Sequence, residues 1–158
     1  MGKLWATALA AFGIDQLSKL AVVHLLNLKE ILILPVAPPF LVFRMGWNQG
    51  INFGLFGGGT ELQRWLLIAL AVAVSAALAW WARGFERPLA RVSAGLVIGG
   101  ALANALDRLI YGAVADFLNM SCCGVQNPFA FNLADVFIFA GAFGLVLWGE
   151  DGRRAPEA

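Results

Sequence analysis

Gly112-Ala113-Val114-Ala115-Asp116-Phe117-Leu118-Asn119-Met120-Ser121-Cys122-Cys123-Gly124-Val125-Gln126-Asn127-Pro128-Phe129-Ala130-Phe131-Asn132-Leu133-Ala134-Asp135 joins two long apolar segments and carries an aspartate near each end. A helical hairpin across a bilayer would return Asp116 and Asp135 to the same membrane surface. Carboxylates near hydrocarbon are rare and costly, so two that converge invite a chemical explanation.

Working outward, the chain has 158 residues, of which 60% are hydrophobic and 13% charged. Mean hydropathy is +0.76. A soluble domain would carry about 25% charge, so the composition implies one integral membrane domain. A net charge of +1 argues against a nucleic-acid partner.

Four runs are long enough to span: roughly Leu4–Leu26, Leu62–Ala82, Leu89–Tyr111 and Phe129–Trp148. Each approaches the ~20 residues that ~30 Å of hydrocarbon requires. The expected fold is therefore an all-α membrane protein with four transmembrane helices. Asp15, Gln16, Ser18 and Lys19 interrupt the first run, but apolar residues flank them on both sides. No clean apolar stretch with a small-residue cleavage site is evident, so the first run reads as a span rather than a cleaved leader.

Lys3 precedes the first span, Arg83, Arg87 and Arg91 cluster between the second and third, and Arg153 and Arg154 follow the fourth. The other two loops are poorer in cations, with Lys29 and Arg44 in the first and none from Gly112 to Pro128. The positive-inside rule then puts both termini in the cytoplasm and Asp116 and Asp135 on the outer side.

The outer segment Asn27–Thr60 is too long for a tight turn. Ile31–Leu34 and Phe40–Phe43 read as short strands around Pro35, Pro38 and Pro39, with turns at Gly50, Gly54 and Gly57–Gly59. This predicts a small sheet on the outer membrane surface. The stretch Ala113–Pro128 reads as a short amphipathic surface helix. Gly95 and Gly99 form a GxxxG pair, read here as packing inside one chain rather than as a dimer contact.

Asn132 precedes Asp135 by three residues, so on a helix the two share a face. Carboxylates brought within ~4 Å would repel by about 4 kcal/mol at an effective dielectric of 20. That separates their ionisations by roughly three pKa units. One acid would hold a proton while the other is ionised, and such a pair can activate a water against an amide carbon. The bland alternative is that each acid marks a helix end, and spacing alone does not choose between the two.

Asn104, Asp107 and Arg108 form one stripe near the outer end of the third span. Arg108 could hold a carboxylate or a substrate carbonyl, or simply snorkel to the interface. Asp15 and Lys19 stand at i, i+4, either as a structural ion pair or with Asp15 positioning a loop or substrate group. Asn48, Gly50, Asn52 and Phe53 form a polar-glycine knot that is either a turn or a means for Asn48 to reach a site.

Other chemistries fare worse. His24 is the only histidine, and nothing places it beside a serine and an acid. Ser18 and Lys19 are adjacent, so on a helix they point apart. No cluster resembles a metal site and no cofactor is called for. Cys122 and Cys123 lack the second outward pair that a thiol oxidoreductase needs, and are expected to stay unpaired or form an incidental bond. A transporter using Asp15, Lys19 and Asp135 would need an inward set of ionisable residues that the loops do not supply.

The motifs together resemble the lipoprotein signal peptidase (signal peptidase II) family over essentially the whole chain. Asp15-Gln16-Leu17-Ser18-Lys19 is similar to its first-helix signature, and Asn48-Gln49-Gly50-Ile51-Asn52-Phe53 to its outer-loop signature. Gly99-Gly100-Ala101-Leu102-Ala103-Asn104-Ala105-Leu106-Asp107-Arg108-Leu109, continuing into Gly112-Ala113-Val114-Ala115-Asp116-Phe117, resembles the third. Phe131-Asn132-Leu133-Ala134-Asp135 resembles the fourth. The resemblance implies an aspartyl endopeptidase of the bacterial inner membrane that cuts prolipoproteins just before a diacylglyceryl-modified cysteine. It implies Asp116 and Asp135 as catalytic dyad, with Asp15, Asn48, Asn104, Arg108 and Asn132 supporting. It also implies four helices, a periplasmic β-cradle and a surface helix, working without cofactor on a lipid-modified partner among membrane lipids. Asn52, Ala103 and Val136 depart from the usual pattern without removing a candidate catalytic group.

Overall fold

The computed structural model describes residues 1–50 and 61–149. The knot residues Asn52 and Phe53, the glycines Gly54 and Gly57–Gly59, and Arg153 and Arg154 lie outside the described residues. In chain order the elements are α1 (Gly2–Lys19), a π-helical continuation (Leu20–Leu25), a one-turn α2 (Leu28–Ile31), β1 (Ile33–Ala37), β2 (Leu41–Asn48), α3 (Glu61–Trp81), α4 (Pro88–Tyr111), β3 (Val114–Met120) and α5 (Leu133–Trp148).

Three helical stretches, Gly2–Leu25, Glu61–Gly84 and Pro88–Tyr111, are long and apolar enough to cross a bilayer. The fourth, α5, is shorter at 16 residues, about 24 Å at 1.5 Å per residue. The run Phe129–Trp148 was expected to be helical throughout, but its first four residues are extended or capping. Phe131 is hydrogen-bonded in both directions to Leu118 on β3. The strand pairing takes the backbone groups that a helix would have used.

Exposed large apolar side chains cover the bundle, among them Leu9, Leu70, Phe139 and Val146, whereas Asp15, Lys19 and Asp107 are buried. This inverts the ordinary soluble arrangement and suits helices whose outer surface meets lipid.

Helix α4 is central and packs against α1, α3 and α5. Its buried face is rich in small residues: Ala90, Ser93, Ala94, Gly95, Gly99, Gly100 and Ala103. A Cβ at Gly95 would meet Leu4 O and Thr7 Cβ of α1, and one at Gly99 would meet Ala8 O and Ala11 Cβ. The GxxxG pair therefore serves packing within the chain. On the other side, a Cβ at Gly100 would lie 2.5 Å from Ala134 O and 2.9 Å from Ile138 Cγ1 of α5. Gly100→Ala must push α5 away, an overpacking cost of about 1–3 kcal/mol. A lowered thermal midpoint in detergent is the expected outcome, and an unchanged midpoint would refute the close approach.

The strands form one antiparallel sheet in the order β1-β2-β3, capping the end of the bundle where α1 and α4 finish and α3 and α5 begin. Beneath it Val22, Val23, Leu28, Ala115 and Phe117 form a small core, with Phe43 edge-on to Phe117 at 5.8 Å. The expected small sheet is present, and its third strand was not foreseen. Ala113–Pro128 was expected to include an amphipathic surface helix, yet Val114–Met120 is a strand. The reason is burial on both faces: Val114 to Phe117 and Asn119 are all buried, with β2 supplying the partner groups. Gly112 makes the turn into it, ending α4 in the left-handed region at φ 77°, where glycine carries no Cβ penalty.

Candidate active site

Every candidate residue from the sequence that lies among the described residues belongs to one hydrogen-bonded assembly at the sheet end of the bundle. Asp116 projects from β3, opposite Gly46 of β2. Two residues further along β2, Asn48 donates from Nδ2 to Asp116 Oδ2 at 3.1 Å. Asp116 Oδ1 accepts from Asn132 Nδ2 at 2.6 Å.

Asn132 is the N-cap of α5, and Asp135 is at its N3 position. Asn132 Oδ1 accepts from Asp135 N at 3.0 Å, and Asn132 N donates to Asp135 Oδ2 at 3.2 Å, a reciprocal capping box. The two residues were expected to share a helix face. Instead Asn132 is extended, at φ −129°, and this frees its amide to face Asp116. Asp135 lies in the first turn of α5. One fully buried asparagine thus touches both candidate carboxylates.

Asn104 on α4 completes the ring. Its Nδ2 donates to Asp135 Oδ1 at 3.0 Å, and its Oδ1 accepts from Asn132 Nδ2 at 3.2 Å. One turn later Arg108 donates from Nη1 to Asn104 O at 3.3 Å. Its guanidinium feels the charges of Asp116, Asp135 and Asp107, and its buried Nε has no hydrogen-bond partner among the described residues. Asp15 accepts at Oδ1 from Ala134 N, 2.8 Å away.

Gln16 and Asn119 went unassigned in the sequence, and Lys19 was read there only as an ion-pair partner of Asp15. Lys19 contacts Asp15 at 2.6 Å, Asp107 at 2.7 Å and Asn104 Oδ1 at 3.3 Å. Gln16 donates to Asp107 Oδ1 at 2.9 Å. Asn119 donates to the carbonyls of Asn127 and Phe129 at 2.8 and 2.7 Å, drawing the return segment alongside β3. The i, i+4 spacing of Asp15 and Lys19 announces a pair within α1. No local spacing announces partners on α4.

The Asp116 carboxyl is pushed up from its ordinary 3.8 to about 6. Burial is the main cause, and the nearby Asp135 charge adds to it. Hydrogen bonds from Asn48 and Asn132 and the charge of Lys19 act in the opposite direction. Asp135 is only half-buried and borders an open cavity of about 510 Å³ lined by Phe131, Val136, Phe139 and Ala140. The Asp135 carboxyl is therefore the one acidic group among the residues that line this groove.

Two expectations outside this assembly can be compared with the structure. His24 pairs with the Tyr111 hydroxyl at 3.2 Å, not with a serine and an acid. Cys122 and Cys123 are joined to each other.

A family profile described as "Signal peptidase (SPase) II" matches residues 7–149. The chain belongs to the signal peptidase II family. It is similar to the lipoprotein signal peptidase of Methylobacterium sp. (strain 4-46), with 44% identity over 96% of this chain and 94% of that one. It is also 40% identical to the lipoprotein signal peptidase of Caulobacter vibrioides, over 90% of this chain and 83% of that one. A solved structure described as a bacterial membrane enzyme at 1.9 Å resolution superposes with a TM-score of 0.79. It covers 97% of this chain and 96% of its own at 22% identity, which shows a shared fold. This is a peptidase family, and its members are hydrolases of the membrane.

Proposed function

We propose that this chain is an aspartyl endopeptidase that removes the signal peptide from diacylglyceryl-modified bacterial prolipoproteins, cutting before the lipidated cysteine, with Asp116 and Asp135 as the catalytic dyad. One observation carries the reading: both carboxyls are held by the single side chain and backbone of Asn132, and one of them, Asp135, lines an otherwise apolar groove. A signal peptide is an apolar helix and diacylglycerol lies in the membrane, so the scissile bond would lie at the depth of this pair. Four membrane crossings with both termini cytoplasmic would put the sheet and the site on the outer side of the inner membrane. The remoteness of Arg83, Arg87 and Arg91 from the sheet end supports that orientation. All the named groups come from one chain, so a monomer suffices.

In the mechanism Asp116 holds a proton and Asp135 is ionised. A water between them attacks the scissile carbonyl carbon and gives a proton to Asp135, while Asp116 transfers its own proton to the carbonyl oxygen, giving a neutral gem-diol. The gem-diol collapses as Asp135 passes its proton to the leaving amide nitrogen and Asp116 recovers its own from the diol. No covalent intermediate forms. Two cations, Lys19 and Arg108, face four carboxylates, so one acid retaining its proton relieves repulsion. Arg108, with its unused Nε, supports a role in holding a substrate carbonyl, while Asp15, Asn48, Asn104 and Asn132 orient the pair.

The direct test incubates the purified chain with a diacylglyceryl-modified precursor and with the same precursor bearing an unmodified cysteine. Cleavage of the first alone, before the lipidated cysteine, is expected. Failure to cut the lipidated precursor, or equal cutting of both, overturns the proposal.

The Asp116 carboxyl sets a pH dependence. Its folded-state value of about 6 lies above the ordinary 3.8. The stability it contributes is therefore full below about pH 4 and lost as pH rises through 6. Activity that needs its proton falls over the same limb, so kcat/KM should decline above about pH 6 with unit slope. Asn48→Ala removes a donor that favours the ionised form, so the limb should move to higher pH. A limb that stays put in that variant would reject the assignment of the proton to Asp116.

A further inference from the structure

The buried lysine of α1 has partners that converge on the dyad from both sides. Lys19 carries three protons and meets three acceptors: Asp15 Oδ2, Asp107 Oδ2 and Asn104 Oδ1. Asp15 also accepts the backbone N–H of Ala134, the residue immediately before Asp135. Asp107 also accepts the backbone N–H of Ala115 at 3.2 Å, the residue immediately before Asp116. Asn104 turns its amide nitrogen to Asp135. The two arms are alike: ammonium, carboxylate, backbone amide, then the neighbouring aspartate.

We infer that Lys19 is a positioning residue that fixes the separation of Asp116 and Asp135 by clamping the strand that carries one to the helix start that carries the other. The inference rests on the dyad reading above. A lysine has only donors, so it also dictates that Asn104 presents its oxygen inward and its N–H groups to Asp135. Charge neutralisation inside the membrane explains one carboxylate on Lys19. It does not explain why both carboxylates end on the amides that precede the two catalytic candidates. Nor does it explain the asparagine.

The test compares the full-length wild type with Lys19→Met and Lys19→Arg on the lipidated precursor, with Asp116→Asn and Asp135→Asn as controls. Lys19→Met loses the clamp and the charge. Lys19→Arg keeps the charge, but its longer planar fork cannot serve three acceptors at the same distances. Both are expected to lower kcat by about 10²-fold, as for a displacement of about 1 Å at the reacting groups. KM should stay within about threefold, because substrate binding is untouched.

In Lys19→Arg the alkaline limb should also move to lower pH, as a wider gap weakens the push of Asp135 on Asp116. The other groups facing Asp116, namely Asn48 of β2, Asn132 and Arg108, are unchanged in that variant. Wild-type kcat in either variant, or a proportionate loss of kcat and KM with the limb unmoved, overturns the clamp. If Lys19→Met does not fold, Lys19→Arg decides. Active Asp→Asn controls would instead sink the dyad reading itself.

Discussion

Asp116→Asn and Asp135→Asn are each expected to lower kcat for the lipidated precursor by about 10³-fold or more, the scale of a lost general acid or base. Both substitutions are isosteric, and each removes one of the two groups proposed to exchange protons with the attacking water and the scissile amide. The fold should persist. In Asp116→Asn the new amide still offers one oxygen to Asn48 or Asn132, and in Asp135→Asn it offers one oxygen to Asn104 or to the Asn132 backbone. One donor per site goes unmatched, at about 1–3 kcal/mol. Above about pH 6, where the wild-type Asp116 carboxyl is ionised, the change at position 116 offsets part of this, because the site no longer carries a charge that burial disfavours. The measurement is single-turnover cleavage beside a thermal melt in detergent. Near-wild-type cleavage by either folded variant would end the aspartyl assignment.

The second large effect concerns Asn132, which exchanges no proton in the reaction yet holds both acids. Asn132→Ala removes the α5 cap, about 1 kcal/mol, and leaves Asp116 Oδ1 without its donor, at about 1–3 kcal/mol more, while Asn104 keeps Lys19. Cleavage should fall by about 10²-fold, because Asp116 loses its 2.6 Å contact and its alignment with Asp135. Asn132→Ser separates the two effects. A serine hydroxyl caps the helix, so the thermal midpoint should recover by the cap's share, but it cannot bridge to Asp116 and Asn104 together. Recovery of stability without recovery of kcat is the expected pattern. Full activity in the serine variant would mean that the bridge does no catalytic work.

The candidate site was legible in the sequence because rare residues stand out in an apolar chain. Asp15, Asn104, Arg108, Asn132 and Asp135 each break a hydrophobic run, and hydrocarbon tolerates such breaks only where partners exist. The partnerships themselves were less legible. Lys19 announces Asp15 through helical spacing, but Asp107 and Asn104 are more than eighty residues away along the chain. Asn119 carries no local signal of its contacts with the Asn127 and Phe129 carbonyls, which depend on the return segment folding back along β3.

Apolar run length and the order of the motifs, both one-dimensional properties, determined on their own that this is a membrane hydrolase-family chain, and they placed its candidate acids at the ends of two segments. Tertiary structure decided what lies between those ends. Val114–Met120 became a strand because β2 was there to pair with it and a core was there to cover it. Phe131 stayed extended because β3 took its hydrogen bonds. Strand pairing draws its free energy from groups distant in sequence, whereas helix length and apolar spacing are local, so only the latter can be read from the chain alone.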